Sequence, residues 1–127
     1  MKLVLVRHAE AAPGNPDELR TLTDEGREQA RRLGEQLRAD GIEPDAVLSS
    51  PLLRARETAA ALGFGEPEPV EELSPGATVV DVKAAIAGRG ETVVVVGHQP
   101  DCGQVTAALR GGAEPAFPPA GAQIIDL

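Results

Sequence analysis

The segment Leu3-Val-Leu-Val-Arg-His-Ala-Glu10 places an arginine and a histidine directly after a short apolar run. An apolar run that stops so abruptly is typical of a buried strand. The segment Thr92-Val-Val-Val-Val-Gly-His98 repeats this pattern, and the chain has two histidines in all. Histidine serves as a nucleophile, base or ligand near neutral pH. Two buried strands that each end on a histidine therefore predict a reactive site at the edge of a sheet.

Predicted strands and helices alternate along the chain. This alternation predicts an α/β fold, a three-layer α/β/α sandwich with a mostly parallel central sheet, formed by residues 1–127 as one domain. Ligands bind such sheets at the carboxyl ends of the strands. Because the two histidines must share a pocket there, strands 1 and 4 are predicted to be adjacent at the centre of the sheet. Strands are predicted at 3–7, 46–49, 69–71, 92–96 and 123–127, and helices at 24–40, 51–63, 79–87 and 100–110.

Composition limits the partners and the compartment. The net charge of −8 argues against nonspecific binding to nucleic acid or to anionic membranes. No apolar stretch approaches the ~20 residues of a membrane span. The apolar run at the start of the chain is too short for a secretory signal, so a cytoplasmic protein is expected. The lone Cys102 gives no internal disulfide and no cysteine-based zinc cluster. The oligomeric state is left open.

Basic side chains gather at the ends of the predicted strands. Arg7 and His8 end the first strand, Arg54 lies on the first turn of the helix after the second, and His98 ends the fourth. Arg20 lies in the loop after the first strand. Guanidinium forks match phosphate oxygens, and a helix N-terminus adds N–H donors. These residues predict a phosphoryl site. No metal or cofactor is predicted, because two histidines are a poor ligand set and the arginines would repel a cation.

The order of four short motifs resembles the histidine phosphatase superfamily, also called the phosphoglycerate-mutase-like group. The short length and the segment Arg20-Thr-Leu-Thr23 are most similar to the small phosphohistidine phosphatases of the SixA type. The resemblance covers essentially the whole chain. The motifs are Arg7-His8 after a buried strand, Leu22-Thr-Asp-Glu-Gly26 with Gln29-Ala30, Ser49-Ser-Pro-Leu-Leu-Arg-Ala55 continuing up to Thr58-Ala59, and Val96-Gly-His98 with Pro100.

The resemblance implies a role for each basic residue. His8 would be the nucleophile that takes the phosphoryl group. Arg7, Arg54 and His98 would hold the phosphate oxygens and stabilise the charge during transfer. Arg20 would add a further phosphate contact, as in the short members of the family. These roles agree with the chemistry, because phosphoryl transfer depends mostly on positioning and on electrostatic stabilisation.

Two positions depart from the family pattern or leave it open. Ala9 stands where the family usually has glycine, which would let the backbone approach a phosphate more closely. Larger members protonate the leaving group with a carboxylic acid, and Glu72 is either that acid or a solvated loop carboxylate. An imidazole leaves readily once solvent has protonated it, whereas an alkyl ester needs the acid more. The weak acid candidate therefore favours a phosphohistidine protein as substrate.

Three functions stay open on the sequence alone. The leading hypothesis is a phosphatase that forms a covalent phosphohistidine on His8. The second is a phosphatase or mutase for a small phosphate ester, such as a sugar phosphate or phosphoglycerate, although the short chain leaves little length for a specificity insert. The third is a non-catalytic module that binds phosphorylated partners, which the intact His8 argues against. Ser49 and Ser50 lack the context of a serine hydrolase nucleophile.

Overall fold

A five-stranded sheet forms the centre of the protein, in a computed structural model that describes all 127 residues. The strand order is β3-β2-β4-β1-β5, and neighbouring strands are parallel except for β5, which runs antiparallel to β1. This arrangement confirms the predicted mostly parallel sheet. The strands are β1 (Lys2–Arg7), β2 (Ala46–Ser49), β3 (Glu68–Pro69), β4 (Thr92–Gly97) and β5 (Ala122–Asp126).

The pairing of β1 with β4 brings the two histidines to the same edge of the sheet. Arg7 lies level with Gly97 in the parallel register, so His8 and His98 each follow by one residue. The backbone N–H of His8 donates to the carbonyl of Gly97 at 2.9 Å. The predicted adjacency of strands 1 and 4 at the centre of the sheet is therefore confirmed.

Side chains alternate along the central strands and divide the core into two halves. Leu3, Leu5 and Val93 face one side of the sheet, whereas Val4 and Val94 face the other. This period of two is the ordinary geometry of a strand, and both faces are apolar because helices cover both. The four helices are α1 (Asp24–Ala39), α2 (Leu53–Ala61), α3 (Val79–Ile86) and α4 (Asp101–Arg110). Helices α3 and α4 cover the first face, and α1 and α2 cover the second. None of these helices combines the length and apolarity that crossing a membrane requires.

The second helix begins two residues later than predicted. Leu52 is extended, with φ −66° and ψ 140°, and forms the N-cap of α2. Its backbone N–H donates to the hydroxyl of Ser50 at 3.2 Å, which holds this turn before the helix starts. Pro51 therefore precedes the helix instead of opening it. The cap predicted at Thr23 is present, because its side chain accepts a hydrogen bond from the N–H of Gly26.

A glycine lets α1 pack directly against the segment that follows β1. A Cβ atom added at Gly26 would lie 2.1 Å from the carbonyl oxygen of Glu10, a distance that no side chain could adopt. The N–H of Thr23 donates to the same carbonyl at 3.0 Å. The start of α1 is therefore fixed against the backbone that leaves His8.

Candidate active site

The imidazole of His8 is held by its neighbour in the chain. Its Nδ1 lies 2.7 Å from the carbonyl oxygen of Ala9. A carbonyl can only accept, so Nδ1 carries the proton and Nε2 keeps the lone pair. Burial, and then the charge of Arg54, lower the pKa of His8 below its usual value of 6.5, against the opposing effect of the Ala9 hydrogen bond. His8 is therefore a neutral imidazole near pH 7, with Nε2 as the nucleophilic atom.

The backbone after His8 is tied to α2 through Thr58. The N–H of Ala9 donates to Thr58 Oγ1 at 2.9 Å, and this hydroxyl donates to the carbonyl of Arg54 at 2.7 Å. Ala9 is fully buried, and its methyl group packs in a small cluster with Leu22 and Ala30. The alanine that replaces the usual glycine therefore fills the core, and its φ angle is not positive.

His98 faces His8 across the edge of the sheet. The ring centroids are 5.3 Å apart and the ring planes are tilted by 58°. His98 Nε2 lies 2.8 Å from Ser50 Oγ. Burial, followed by the charges of His8 and Arg54, lowers the pKa of His98 to about 4. Both imidazoles are therefore neutral at physiological pH, which limits repulsion between them.

Arg7 and Arg54 lie at the same end of the sheet, and each keeps a donor free. Arg7 donates from Nη1 to the carbonyl of Phe117 at 3.0 Å. Arg54 donates from Nη1 to the carbonyl of Asp17 at 3.0 Å and from Nη2 to its carboxylate at 3.2 Å. The Nε–H of each arginine is buried without a protein acceptor. A buried unpaired donor costs roughly 1–3 kcal/mol, more on a charged group, and an anion oxygen that accepts from it would remove this cost.

Asp17 connects the remaining arginine to the site. Arg20 donates from Nη1 to Asp17 Oδ1 at 3.2 Å and from Nε to the carbonyl of Ala12 at 2.9 Å. The carboxylate of Asp17 therefore bridges Arg20 and Arg54. Its hydrogen bond to Arg20 is the main reason that the pKa of Asp17 is lowered. An anion that reaches both guanidinium groups shares them with this carboxylate.

Glu57 was not identified from the sequence, although it lies inside one of the motifs. Its Oε1 accepts from the hydroxyl of Thr21 at 2.6 Å and from the N–H of Leu22 at 2.8 Å. Its Oε2 accepts from Arg27 at 3.4 Å. Glu57 thereby ties the loop that carries Arg20 to α2.

Glu72 is not brought into contact with the basic residues. It lies in a 3₁₀ turn, Glu71–Leu73, just after β3, and its side chain is exposed. It makes no hydrogen bond or ion pair with His8, His98 or the three arginines. Its role as an acid therefore stays a prediction. The structure holds no group of three or more His, Cys, Asp or Glu side chains arranged to bind a metal ion.

Acidification is expected to destabilise the fold through His98. Between pH 6.5 and about 4 the unfolded chain binds a proton on this residue and the folded chain does not. The free energy of unfolding should therefore decrease as the pH falls, by up to about 1.4 kcal/mol per pH unit for each such histidine. His8 adds to the effect, because its pKa is also lowered. Urea unfolding at pH 7, 6 and 5 measures this slope.

The variant His98→Gln is the control for this measurement. It removes one of the two lowered histidine pKa values and should flatten the dependence of stability on pH. An equal slope in the variant and in the wild-type protein would show that His98 is not the group responsible.

The sequence and the overall fold are similar to those of known proteins. The family model of the histidine phosphatase superfamily (branch 1) matches residues 3–74. The phosphohistidine phosphatase SixA of Escherichia coli K12 is 32% identical over 125 residues, which cover 91% of this chain and 78% of that protein. A structure of the protein histidine phosphatase SixA complexed with tungstate has a TM-score of 0.91 and 30% identity, covering 100% of this chain and 88% of that one. A phosphoglycerate mutase from Thermus thermophilus has a TM-score of 0.71 and 25% identity, covering 99% of this chain and 93% of that one.

Proposed function

Because the chain belongs to the histidine phosphatase superfamily and is a phosphatase, we propose that it acts through a covalent phosphohistidine on His8, with a phosphohistidine protein as its substrate. One observation carries this proposal. The Nδ1 of His8 is occupied by the carbonyl of Ala9, so the lone pair of Nε2 is available at the edge of the sheet. That edge also holds His98, Arg7 and Arg54.

The proposed reaction has two displacements. In the first, the lone pair of His8 Nε2 attacks phosphorus, the bond from phosphorus to the substrate imidazole breaks, and that imidazole leaves as the neutral ring with a proton taken from solvent. In the second, water attacks the phosphorus of the modified His8, the P–N bond breaks, and inorganic phosphate leaves. Arg7 and Arg54 stabilise the charge on the phosphoryl oxygens in both steps. Arg20 is connected to Arg54 by the carboxylate of Asp17, which accepts hydrogen bonds from both.

The shape of the surface supports a large substrate. The two surface cavities of the protein lie along α2, and His8, Arg7, Arg54 and His98 line neither of them. Neither cavity therefore extends from the phosphoryl site as a pocket for the rest of a small molecule. A phosphoryl group presented on another protein needs no such pocket.

The position of Glu72 supports the same choice of substrate. A general acid typically accelerates a reaction by about 10²–10⁴-fold. When no acid contacts the site, hydrolysis of a phosphate ester lacks this acceleration. Hydrolysis of a phosphohistidine is slowed much less, because its leaving imidazole can take a proton from solvent.

A direct comparison of substrates tests the proposal. We expect kcat/KM for a phosphohistidine peptide to exceed that for sugar phosphates and phosphoglycerate by about 10²-fold or more. Glu72→Gln should change phosphohistidine turnover by no more than about twofold, well below a general-acid effect. Glu71→Gln is the matched control, since it changes the neighbouring exposed carboxylate. Faster turnover of an ester, or a large loss in the Glu72 variant alone, would contradict the proposed substrate.

A further inference from the structure

Ser50 is a buried residue in contact with the second histidine of the site. It follows β2, has no exposed surface, and is fixed by its backbone N–H, which donates to the carbonyl of Val96 at 3.0 Å. Its hydroxyl makes two contacts. It accepts from the N–H of Leu52 at 3.2 Å, and it lies 2.8 Å from His98 Nε2.

The donors and acceptors around Ser50 favour one direction for the second contact. The Ser50 hydroxyl has one hydrogen to donate, and no carbonyl or carboxylate accepts it. If His98 Nε2 carried a proton and donated, the Ser50 hydroxyl hydrogen would stay buried and unpaired, at a cost of roughly 1–3 kcal/mol. This cost favours a hydroxyl that donates and an Nε2 that accepts. In the neutral ring the proton must then reside on Nδ1.

We infer that Ser50 is a positioning residue that holds His98 in the Nδ1-protonated tautomer, so that an uncharged imidazole donates an N–H to the phosphoryl group. The catalytic part of this inference rests on the proposed function, whereas the tautomer itself does not. The Nδ1 of His98 forms no hydrogen bond within the protein. The two nitrogens of an imidazole point in nearly opposite directions, so fixing Nε2 on Ser50 turns Nδ1–H away from it.

The arrangement explains how a second imidazole can act beside His8 without a positive charge. The rings of His8 and His98 lie 5.3 Å apart, and the guanidinium group of Arg54 lies nearby. A protonated His98 would face this charge and would disfavour a charge on its partner. A neutral N–H donor avoids the repulsion and still contributes a hydrogen bond to oxygens whose negative charge grows during transfer.

Nitrogen-15 NMR of the histidine rings tests the tautomer in the wild-type protein. The chain has only two histidines, and the spectrum of His8→Ala assigns them. We expect both rings to be protonated on Nδ1 near pH 7, His8 through Ala9 and His98 through Ser50. A proton on Nε2 of His98 would overturn the inference, whatever any variant does.

The variant Ser50→Ala tests the consequence for catalysis, and Ser49→Ala is its matched control. Ser49 is the neighbouring residue, is equally buried, and its hydroxyl has no hydrogen-bond partner. We expect Ser50→Ala to shift the proton of His98 to Nε2 and to lower kcat by about 10- to 100-fold, with KM changed much less. Ser49→Ala should change neither. Ser50→Thr keeps the hydroxyl and should retain the tautomer and most of kcat.

The possible outcomes separate this inference from the proposed function. An unchanged tautomer and unchanged kcat in Ser50→Ala would overturn the role of Ser50, while the loss of activity in His8→Ala would still support the nucleophile. A shifted tautomer with unchanged kcat would overturn the catalytic role and leave only a structural one. If Ser50→Ala fails to fold, the wild-type spectrum decides the tautomer. The kcat of Ser50→Thr then tests the catalytic role: a retained kcat supports it, and a large loss with an unchanged tautomer contradicts it.

Discussion

Replacing His8 with alanine is expected to lower turnover of an aryl phosphate by roughly 10⁴- to 10⁶-fold, the loss typical for removal of a catalytic nucleophile. The substitution deletes the only atom in the site, Nε2, that can form a bond to phosphorus with its lone pair free and its ring neutral. The basic groups around it remain, so binding of inorganic phosphate should persist. Steady-state rates and phosphate binding, measured on the same preparation, check both expectations.

Trapping of the intermediate gives this prediction a sharper readout. Rapid mixing with labelled substrate should place label on the wild-type protein in a form that is labile in acid and stable in base, as expected for a phosphorus–nitrogen bond. His98→Ala is the matched control, because it removes the other histidine and should slow the reaction while still allowing label to accumulate. Label on His8→Ala, or wild-type turnover by this variant, would refute His8 as the nucleophile.

The positions of the two histidines could be predicted because they depend on local pattern and on one rule of topology. Four consecutive apolar residues before Arg7 indicate a strand buried on both faces, and the same holds for Thr92–Gly97. Parallel strands carry their ligands at the carboxyl ends. The two strands and the end that carries the ligands can both be predicted from the sequence. The observed register of β1 with β4 then places the two histidines side by side.

The bridge formed by Asp17 could not be predicted in the same way. It depends on a 3₁₀ turn, Asp17–Leu19, inside a long polar loop without periodicity. The spacing of Asp17 and Arg20 indicates at most a local ion pair. The contact with Arg54, which lies 37 residues away, follows from how the loop lies over α2. No sequence pattern in the loop or in α2 predicts this contact.

The contacts of the buried serine hydroxyls could not be predicted from the sequence either. Ser49 and Ser50 are adjacent, are both fully buried and look equivalent in the chain. Because strand side chains alternate, only one of them can face His98, and the exact end of β2 decides which. The structure assigns that place to Ser50 and leaves Ser49 without a partner.

Arg54→Ala should lower kcat/KM by about 10²- to 10³-fold, the effect of removing one strong donor to a developing oxyanion. Arg54 is buried, with 7% of its surface exposed, and its Nε–H has no acceptor in the protein. The variant removes that donor and also leaves Asp17 paired with Arg20 alone. Because a carboxylate with one cation fewer repels an incoming phosphate more strongly, we expect KM to rise as well as kcat to fall.

Arg56→Ala is the control that separates this effect from a general loss of positive charge. Arg56 lies two residues further along α2, is exposed, and makes no ion pair. Both variants change the net charge equally, so diffusion and long-range attraction change alike, yet only Arg54 can reach the phosphoryl group. Arg54→Lys should recover part of the activity, since an ammonium group restores the charge but not the fork that serves Asp17 and phosphate together. Equal losses in the Arg54→Ala and Arg56→Ala variants would mean that the arginine acts through the overall field rather than through contact.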